Sequence, residues 1–226
     1  MTHHPYLAKI LHNLLPQALE DNLTIKSQEE SISLRQRHAS ELIITSGRII
    51  AWDPLWIDER IPPFAATVAP GKYPVVLSIA QSSIAGERLA YATLRLQDRQ
   101  PVRWEVARFD DDEISLLDEN EDVIGYPVDT GIGCFADLDA ARVFMQRLQE
   151  DAEYHMVIVR GMDESDPLNI GWGWGSVDLK PDTLANLIFF TAGEGDGTYA
   201  SYFGFDADDM PVCLITDFGL LWHLHQ

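Results

Sequence analysis

Cysteine is scarce in this sequence, whose 226 residues include only Cys134 and Cys213. The two lie about eighty residues apart, and the sequence contains no CxxC pair. Small secreted domains, by contrast, are held together by several disulfide bonds between many cysteines. A disulfide framework is therefore not indicated, and a chain of this length can bury a large apolar core without one.

Long apolar runs are lacking as well. No run approaches the roughly eighteen apolar residues that cross a bilayer. The first residues, MTHHPYLAKILHNLLPQ, lack the basic start, the long apolar core and the small-residue cleavage site of a signal peptide. We therefore expect a cytoplasmic protein that does not bind membranes.

Positive charge is the third scarcity: 16 Lys and Arg stand against 36 Asp and Glu, a formal net charge of -20. Nucleic-acid binding is excluded because it depends on clustered Lys and Arg. The imbalance is strongest in residues 161–226, where eleven acidic residues face the single Lys180. Two interpretations stay open, a solubilising surface and electrostatic attraction of a basic protein partner or a metal cation.

The pattern of apolar residues predicts an N-terminal helical segment, residues 1–39, packed on one β-rich domain, residues 40–226. A helix is predicted over residues 3–20 with a break at Pro16, and residues 21–40 are predicted as helix or connector. Residues 41–54 are predicted as a hairpin around Ser46 and Gly47. Three alternating segments then predict an antiparallel sheet with one buried face: residues 72–79, 86–97 and 102–108.

The second half of the chain predicts one internal helix among further strands. Asp137 stands where an N-cap would, before a helix with Leu138, Ala141, Met145 and Leu148 on one face. Strands are predicted over 154–160, 170–177 and 187–190, followed by a hairpin over 199–218 with a five-residue polar connection. The fold class is α+β and mainly antiparallel β: a β-sandwich or open barrel with an internal and an N-terminal helix.

Two loops rich in glycine and carboxylates are the candidate functional segments: residues 124–137 (IGYPVDTGIGCFAD) and residues 193–206 (GEGDGTYASYFGFD). Glycine lets the backbone turn sharply and approach a ligand closely. Asp129 and Asp196 could therefore coordinate a hard cation such as Ca²⁺ or Mg²⁺, with Asp137 and Asp217 completing the site. The alternative is that these side chains cap turns and, at Asp137, the following helix.

Other chemistry finds less support in the sequence. Cys134 could be a nucleophile at a helix start, but His155 is the one histidine within the same region, and a small buried Cys is the commoner outcome. His223 and His225 form an HxH pair at the C-terminus, a spacing that metal ligands can use. The GWGWG run lacks the strand-turn-helix context of a dinucleotide loop.

The aromatic residues of the last third are the second candidate set. Trp172, Trp174, Tyr199, Tyr202 and Phe203 are interpreted as core or as a partner-binding surface. The alternation of Trp172 and Trp174 with glycines predicts a strand that shows both indoles on one face.

The sequence combines four motifs over roughly residues 40–218: SGRIIAWDPL, PGKYPV, GYPVDTGIGCFAD and GEGDGTYASYFGFDADDMPVCLITDF. This combination resembles a bacterial family described as domain of unknown function 4241. The resemblance implies no activity, cofactor or catalytic residue. The matching positions are Asp53, Pro54, Gly71, Asp129, Gly131, Gly133, Cys134, Asp137, Gly195, Asp196, Gly197, Tyr199, Tyr202, Gly204 and Asp217.

Three hypotheses follow. The favoured one is a non-catalytic protein-binding module, such as an acidic antidote or immunity protein that masks a basic toxin or nuclease through Tyr and Trp anchors among carboxylates. The first alternative is a metal-dependent hydrolase that uses Asp129, Asp137 and Asp196 around Mg²⁺ or Ca²⁺. The second alternative is a structural or small-ligand module with an apolar pocket lined by Trp.

Overall fold

A computed structural model describes residues 13–26, 31–57, 61–82, 86–110, 125–165 and 172–221. Within these ranges every pair of strands is antiparallel. The strands are β1 Leu23–Lys26, β2 Ser31–Ile44, β3 Ile49–Trp52, β4 Gly71–Ser82, β5 Gly86–Arg95, β6 Arg103–Val106, β7 Tyr126–Val128, β8 Ile132–Asp137, β9 Trp174–Asp178, β10 Asn186–Thr191, β11 Gly197–Phe205 and β12 Pro211–Asp217. The helices are α1 Leu138–Glu150, α2 Met156–Ser165 and the 3₁₀ helices Leu15–Leu19 and Ala152–His155.

The strands form two sheets. The larger has the order β1-β2-β4-β5-β12-β11-β6, with β7 also paired to β11, and it curls into a half-barrel. The smaller has the order β3-β8-β10-β9. The prediction of a mainly antiparallel β protein is therefore confirmed, and its two layers are a curled sheet and a smaller one.

The main apolar core lies between the two sheets and takes side chains such as Leu77 of β4, Phe135 of β8 and Phe190 of β10. A second core covers the other face of the large sheet, where the first 3₁₀ helix packs. A third lies between the small sheet and helices α1 and α2. Because both sheets are covered on both faces, the middle of β4 is buried continuously from Val75 to Ala80 instead of alternating.

The N-terminal predictions need correction. Part of the predicted helix, residues 3–12, lies outside the described residues, and the described part is the 3₁₀ helix Leu15–Leu19. Pro16 stands at its beginning, where a missing N–H removes no helical hydrogen bond. The described parts of residues 21–40 are not helix but contain β1 and most of β2, which continues past residue 40.

Two further elements differ from the sequence prediction. The hairpin over residues 41–54 does not form, because β2 pairs with β4 whereas β3 crosses to the small sheet and pairs with β8. Residues 154–160 are not a strand but the end of a 3₁₀ helix and the start of α2. The described chain thus has a second internal α-helix. Neither α1 nor α2 is long and apolar enough to cross a membrane.

The helix predicted after Asp137 is confirmed as α1, but its buried face is rotated from the predicted one. Ala140, Ala141 and Phe144 are the buried residues, and Leu148 packs at the edge of the third core. The hairpin of β11 and β12 is confirmed, as is the strand β10.

Candidate functional site

A cleft with a volume of about 350 Å³ lies at one end of the β11–β12 hairpin. It is formed by the turn that precedes β11 and by the segment that follows β12. Its lining residues are Glu194, Asp196, Gly197, Thr198, Tyr199, Ala200, Asp217, Phe218, Gly219 and Leu220.

Strand pairing explains why two distant segments share this cleft. Ala200 of β11 lies opposite Asp217 of β12, so the entry to one strand and the exit of the other are neighbours. Gly193 permits the close approach: it has φ of +45°, and a Cβ there would lie 2.7 Å from the Cβ of Phe218. Any larger residue at this position would push Phe218 out of the cleft wall.

Three carboxylates line the cleft. Glu194 and Asp196 are exposed at its rim, whereas Asp217 is only 2% exposed. One oxygen of Asp217 accepts a hydrogen bond of 2.8 Å from the backbone N–H of Gly219, which fixes the carboxylate at the end of β12. Neither Lys nor Arg is among the described lining residues, so the cleft is an anionic surface.

Two aromatic rings make up the apolar part of the wall. Tyr199 and Phe218 meet edge to face, with ring centroids 5.0 Å apart and planes at 76°. The hydroxyl of Tyr199 donates to the carbonyl of Gly195 at 2.8 Å, which ties the wall to the acidic turn. Burial raises the pKa of Tyr199, and the nearby charges of Glu194 and Asp196 raise it further. Tyr199 is therefore a neutral hydrogen-bonding phenol at physiological pH.

The chemistry of such a cleft suits a cation. Carboxylates form short charge-assisted hydrogen bonds to ammonium and guanidinium groups, and aromatic faces attract the same groups electrostatically. A Lys or Arg side chain carries both the charge and the apolar stem that these walls match.

The two Gly/Asp loops of the sequence do meet. The N–H of Ala192 donates to the carbonyl of Gly131 at 2.8 Å, and a Cβ on Gly131 would lie 3.6 Å from the Cα of Gly195. The contact is between backbones, however, and Asp129 is not among the residues that line the cleft. Of the two carboxylates predicted to lead a metal site, Asp129 and Asp196, only Asp196 reaches the cleft.

Asp53 explains the conformation of the first loop. Its buried carboxylate accepts hydrogen bonds from the N–H groups of Asp129 and Thr130 at 2.9 and 2.8 Å, and also from the hydroxyl of Thr130. A further bond comes from the N–H of Leu55. Asp53 thus holds the loop against the end of β3, and its carboxylate is fully engaged in doing so.

Asp137 lies in a different place and has a structural role. Its side chain is fully buried, accepts from the N–H of Asp139 and thereby caps α1, as the sequence predicted. It also accepts from both the N–H and the hydroxyl groups of Thr45 and Ser46, at 2.7 to 3.1 Å. These contacts occupy both oxygens, so Asp137 does not complete a site with Asp129 and Asp196.

The hydrolase hypothesis required convergent carboxylates. Among the residues that the structure describes, no group of three or more His, Cys, Asp or Glu is placed to hold a metal ion. Glu194, Asp196 and Asp217 share a cleft but not a coordination geometry. Within the described ranges, the hypothesis of a metal-dependent hydrolase is therefore not supported by any cluster of three ligands.

Cys134 is not at a helix start but in the middle of β8, where it is completely buried. Burial raises the pKa of its thiol far above the ordinary value, so the thiolate needed for nucleophilic attack is not formed. His155 lies in the second 3₁₀ helix, with Nδ1 2.6 Å from the carbonyl of Ala152. His223 and His225 lie outside the described residues.

The predicted aromatic set divides between cleft and core. Trp172 and Trp174 stack on each other with centroids 5.5 Å apart and planes at 10°, so both indoles do share one face. The strand predicted over 170–177 begins only at Trp174, so Trp172 precedes β9. Both indoles belong to the core between the sheets, and the Nε1–H of Trp172 donates to Glu87 at 3.0 Å. Tyr202 is 3% exposed in the second core. Tyr199 is the member of the set that reaches the cleft.

Sequence reasoning did not single out Glu194 and Phe218, which contribute a carboxylate and an aromatic ring to the cleft. Glu194 had a signal, because it lies in the same glycine-rich loop as Asp196. Phe218 had one as well: it directly follows Asp217, and folding the predicted hairpin places this end of β12 beside the start of β11.

Comparison with known proteins identifies the family of this chain. A family model described as "Protein of unknown function (DUF4241)" matches residues 42–216. The match covers most of the chain, including all of β11, and ends at Thr216, one residue before the end of β12. No curated protein and no solved structure matches the chain.

Proposed function

Because the chain belongs to the DUF4241 family of proteins of unknown function, we propose its role from the cleft. We propose a non-catalytic binding module that receives a Lys or Arg side chain of a basic protein partner, as an antidote or immunity protein would. The observation that carries this proposal is the cleft itself: three carboxylates, Glu194, Asp196 and Asp217, beside the rings of Tyr199 and Phe218.

The cleft has the features of an interface anchor point. A volume of about 350 Å³ is at the lower end of ligand-sized pockets, and a long side chain of a partner fits this scale better than a cofactor. Binding energy at protein interfaces concentrates where an Arg or aromatic anchor enters a desolvated pocket. The rigid contact of Tyr199 with Phe218 gives the cleft a preformed wall, which lowers the entropy cost of binding.

The charge of the whole chain supports the same partner. A formal net charge of -20 attracts a basic protein over a distance and raises its association rate. Like charges on the two partners would have the opposite effect. We therefore expect binding to weaken steeply as the salt concentration rises.

The direct test uses peptides of defined charge. Penta-arginine, penta-lysine and a neutral penta-glutamine peptide are titrated into isotopically labelled protein, and backbone amide shifts are followed at 50 and 300 mM NaCl. We expect the two basic peptides to shift the amides of Asp196, Tyr199 and Gly219, and the neutral peptide to shift none. The binding of the basic peptides should be weaker at 300 mM NaCl than at 50 mM.

Two double variants distinguish binding at the cleft from binding to the acidic surface as a whole. E194Q/D196N should weaken penta-arginine binding about tenfold or more, since it removes two charge-assisted contacts. D163N/E164Q makes the same chemical change at exposed positions on α2 and should leave affinity nearly unchanged. Equal losses in both double variants would mean that the peptide binds the acidic surface as a whole, and the proposal would fail.

A further inference from the structure

A second cavity is lined by two arginines and by no acidic residue among those described. It measures about 170 Å³ and lies where β3 and the Pro-rich segment after it face helix α1. Its lining residues are Arg48, Ile50, Ile61, Pro63, Leu138, Ala141, Arg142 and Met145. It shares no lining residue with the acidic cleft.

The floor of this cavity is apolar. Ile50 and Ala141 are almost completely buried, and Ile61 is 7% exposed. Leu138 and Met145 complete the apolar surface from one face of α1. A ligand for this floor must therefore carry a hydrocarbon part.

The charged lining residues are Arg48 and Arg142, and no acidic residue is among the described lining residues. Their ion-pair partners are outside the cavity lining: Arg48 pairs with Asp110, and Arg142 contacts Asp139 at 3.2 Å. The Arg142 pair is exposed on both sides, and such pairs contribute little. Two guanidinium groups, each with several N–H donors, thus lie beside one apolar floor in a chain with 36 acidic residues against 16 basic ones.

Arg48 also carries an unsatisfied donor. Its Nε–H is buried and has no hydrogen-bond acceptor among the described residues. Buried donors without a partner are uncommon because each loses its hydration without compensation. Because this atom is closed to solvent, a ligand contacts the exposed part of the Arg48 side chain instead, which is 36% exposed.

The backbone around the cavity is held in place. The N–H of Leu138 donates to the carbonyl of Arg48 at 2.8 Å, which fixes the start of β3 against the start of α1. The capping residue Asp137 binds the turn before β3 through Thr45 and Ser46. The two walls therefore keep their spacing without a ligand, as a preformed site requires.

We propose that this cavity binds a small apolar carboxylate. The carboxylate accepts hydrogen bonds from the guanidinium groups of Arg48 and Arg142, and the hydrocarbon part lies against Leu138 and Met145, the partly exposed apolar side chains of the lining. The volume of about 170 Å³ is roughly that of six waters of about 30 Å³ each, which suits a ligand the size of hexanoate. This site goes beyond the proposed binding of a basic partner and does not depend on it.

The test titrates the full chain with four probes: hexanoate, 1-hexanol, acetate and inorganic phosphate. Amide and methyl shifts of Ile50, Ala141 and Met145 report on binding. We expect hexanoate to bind at least about tenfold more tightly than hexanol or acetate, because it alone joins charge to apolar surface. Phosphate should bind no better than acetate.

The variant R142Q supplies the second measurement, with R160Q as its matched control, because Arg160 is an exposed arginine on α2 that does not line the cavity. R142Q should weaken hexanoate binding about tenfold, whereas R160Q should not change it. Unchanged circular dichroism will show that both variants fold. Absence of hexanoate binding, equal binding of hexanol, or equal effects of R142Q and R160Q would each overturn the proposal.

Discussion

Two buried carboxylates, Asp53 and Asp137, connect parts of the chain that are far apart in sequence. Each is at most 1% exposed, and each accepts several hydrogen bonds from loops more than seventy residues away. Burial of these carboxylates is tolerated because the donors replace water. The cap at Asp137 could be predicted from the amphipathic helix that follows it, but its bonds to Thr45 and Ser46 could not, since nothing local indicates them.

The role of Asp137 leads to a prediction about stability. D137N should lower the free energy of unfolding by about 2–3 kcal/mol, because an amide replaces a charged acceptor and turns an NH₂ group toward the donors of Thr45 and Ser46. Urea unfolding followed by circular dichroism measures this loss.

The neighbouring Asp139 provides the control for that prediction. It is exposed in the first turn of α1 and pairs with Arg142, so D139N should cost less than about 1 kcal/mol. A loss in D139N as large as that in D137N would show that helix charge, and not the buried network, is responsible.

At the scale of elements, the β11–β12 hairpin shows what local patterns predict well. Two segments rich in apolar residues, joined by a five-residue polar connection, predicted the hairpin, and it is present. Counted from the turn, the register of the two strands shifts by one residue between Phe205 and Gly204. Beyond this shift, Ala200 faces Asp217. Regular pairing counted from the turn would place Thr216 there instead. The shift therefore decides that Asp217 lies at the acidic cleft.

The turn of this hairpin leads to a prediction about acid stability. The N–H of Met210 is the main cause that lowers the pKa of Asp206, and Arg99 lowers it further. A lowered pKa stabilises the fold above the ordinary value of 3.8, and this contribution is lost as the pH falls through the lower folded value. D206N should therefore lose less thermal stability than the wild type between pH 6 and pH 3.

Melting temperatures at pH 6, 5, 4 and 3 check this difference. D206N should have a lower melting temperature than the wild type at pH 6, and the two should converge as the pH falls. Parallel curves for the two proteins would refute the role assigned to Asp206.

The elements that sequence analysis missed depend on distant contacts. The period-two spacing of Ile32 and Leu34 was a usable signal for β2, but its polar outer residues made the segment resemble a connector. β3 pairs with β8, some eighty residues later, and not with the nearby β2. The apolar run 154–160 is short, and short runs fit a buried helix face as well as a strand. Of the candidate site, Asp196, Tyr199 and Asp217 were identified, whereas Glu194 and Phe218 had signals in the sequence that were not used.

At the scale of the whole molecule, the three apolar cores bury cysteine thiols and tyrosine phenols and keep them neutral. Burial raises the pKa of Cys213 from 9.0 to about 12 and raises that of Cys134 further. Burial likewise raises the pKa of Tyr91 and Tyr126 well above the ordinary value of 10.0. All four side chains are at most 2% exposed. In the unfolded chain these groups return to their ordinary values.

This difference predicts a loss of stability in alkali. Groups with raised folded pKa values stabilise the fold fully below their unfolded values, and the contribution is lost as the pH rises toward the folded values. Above pH 9 the free energy of unfolding should therefore fall, by about 1.4 kcal/mol per pH unit for each fully ionised unfolded group. Urea unfolding at pH 7, 9 and 10.5 measures the slope, and tyrosinate absorbance from Tyr91 and Tyr126 should appear only with unfolding.

The variant Y91F removes one such group and should flatten the dependence of the unfolding free energy on pH above pH 10. An unchanged slope in Y91F, or tyrosinate from Tyr91 in the folded protein, would contradict the conclusion that burial keeps this phenol neutral.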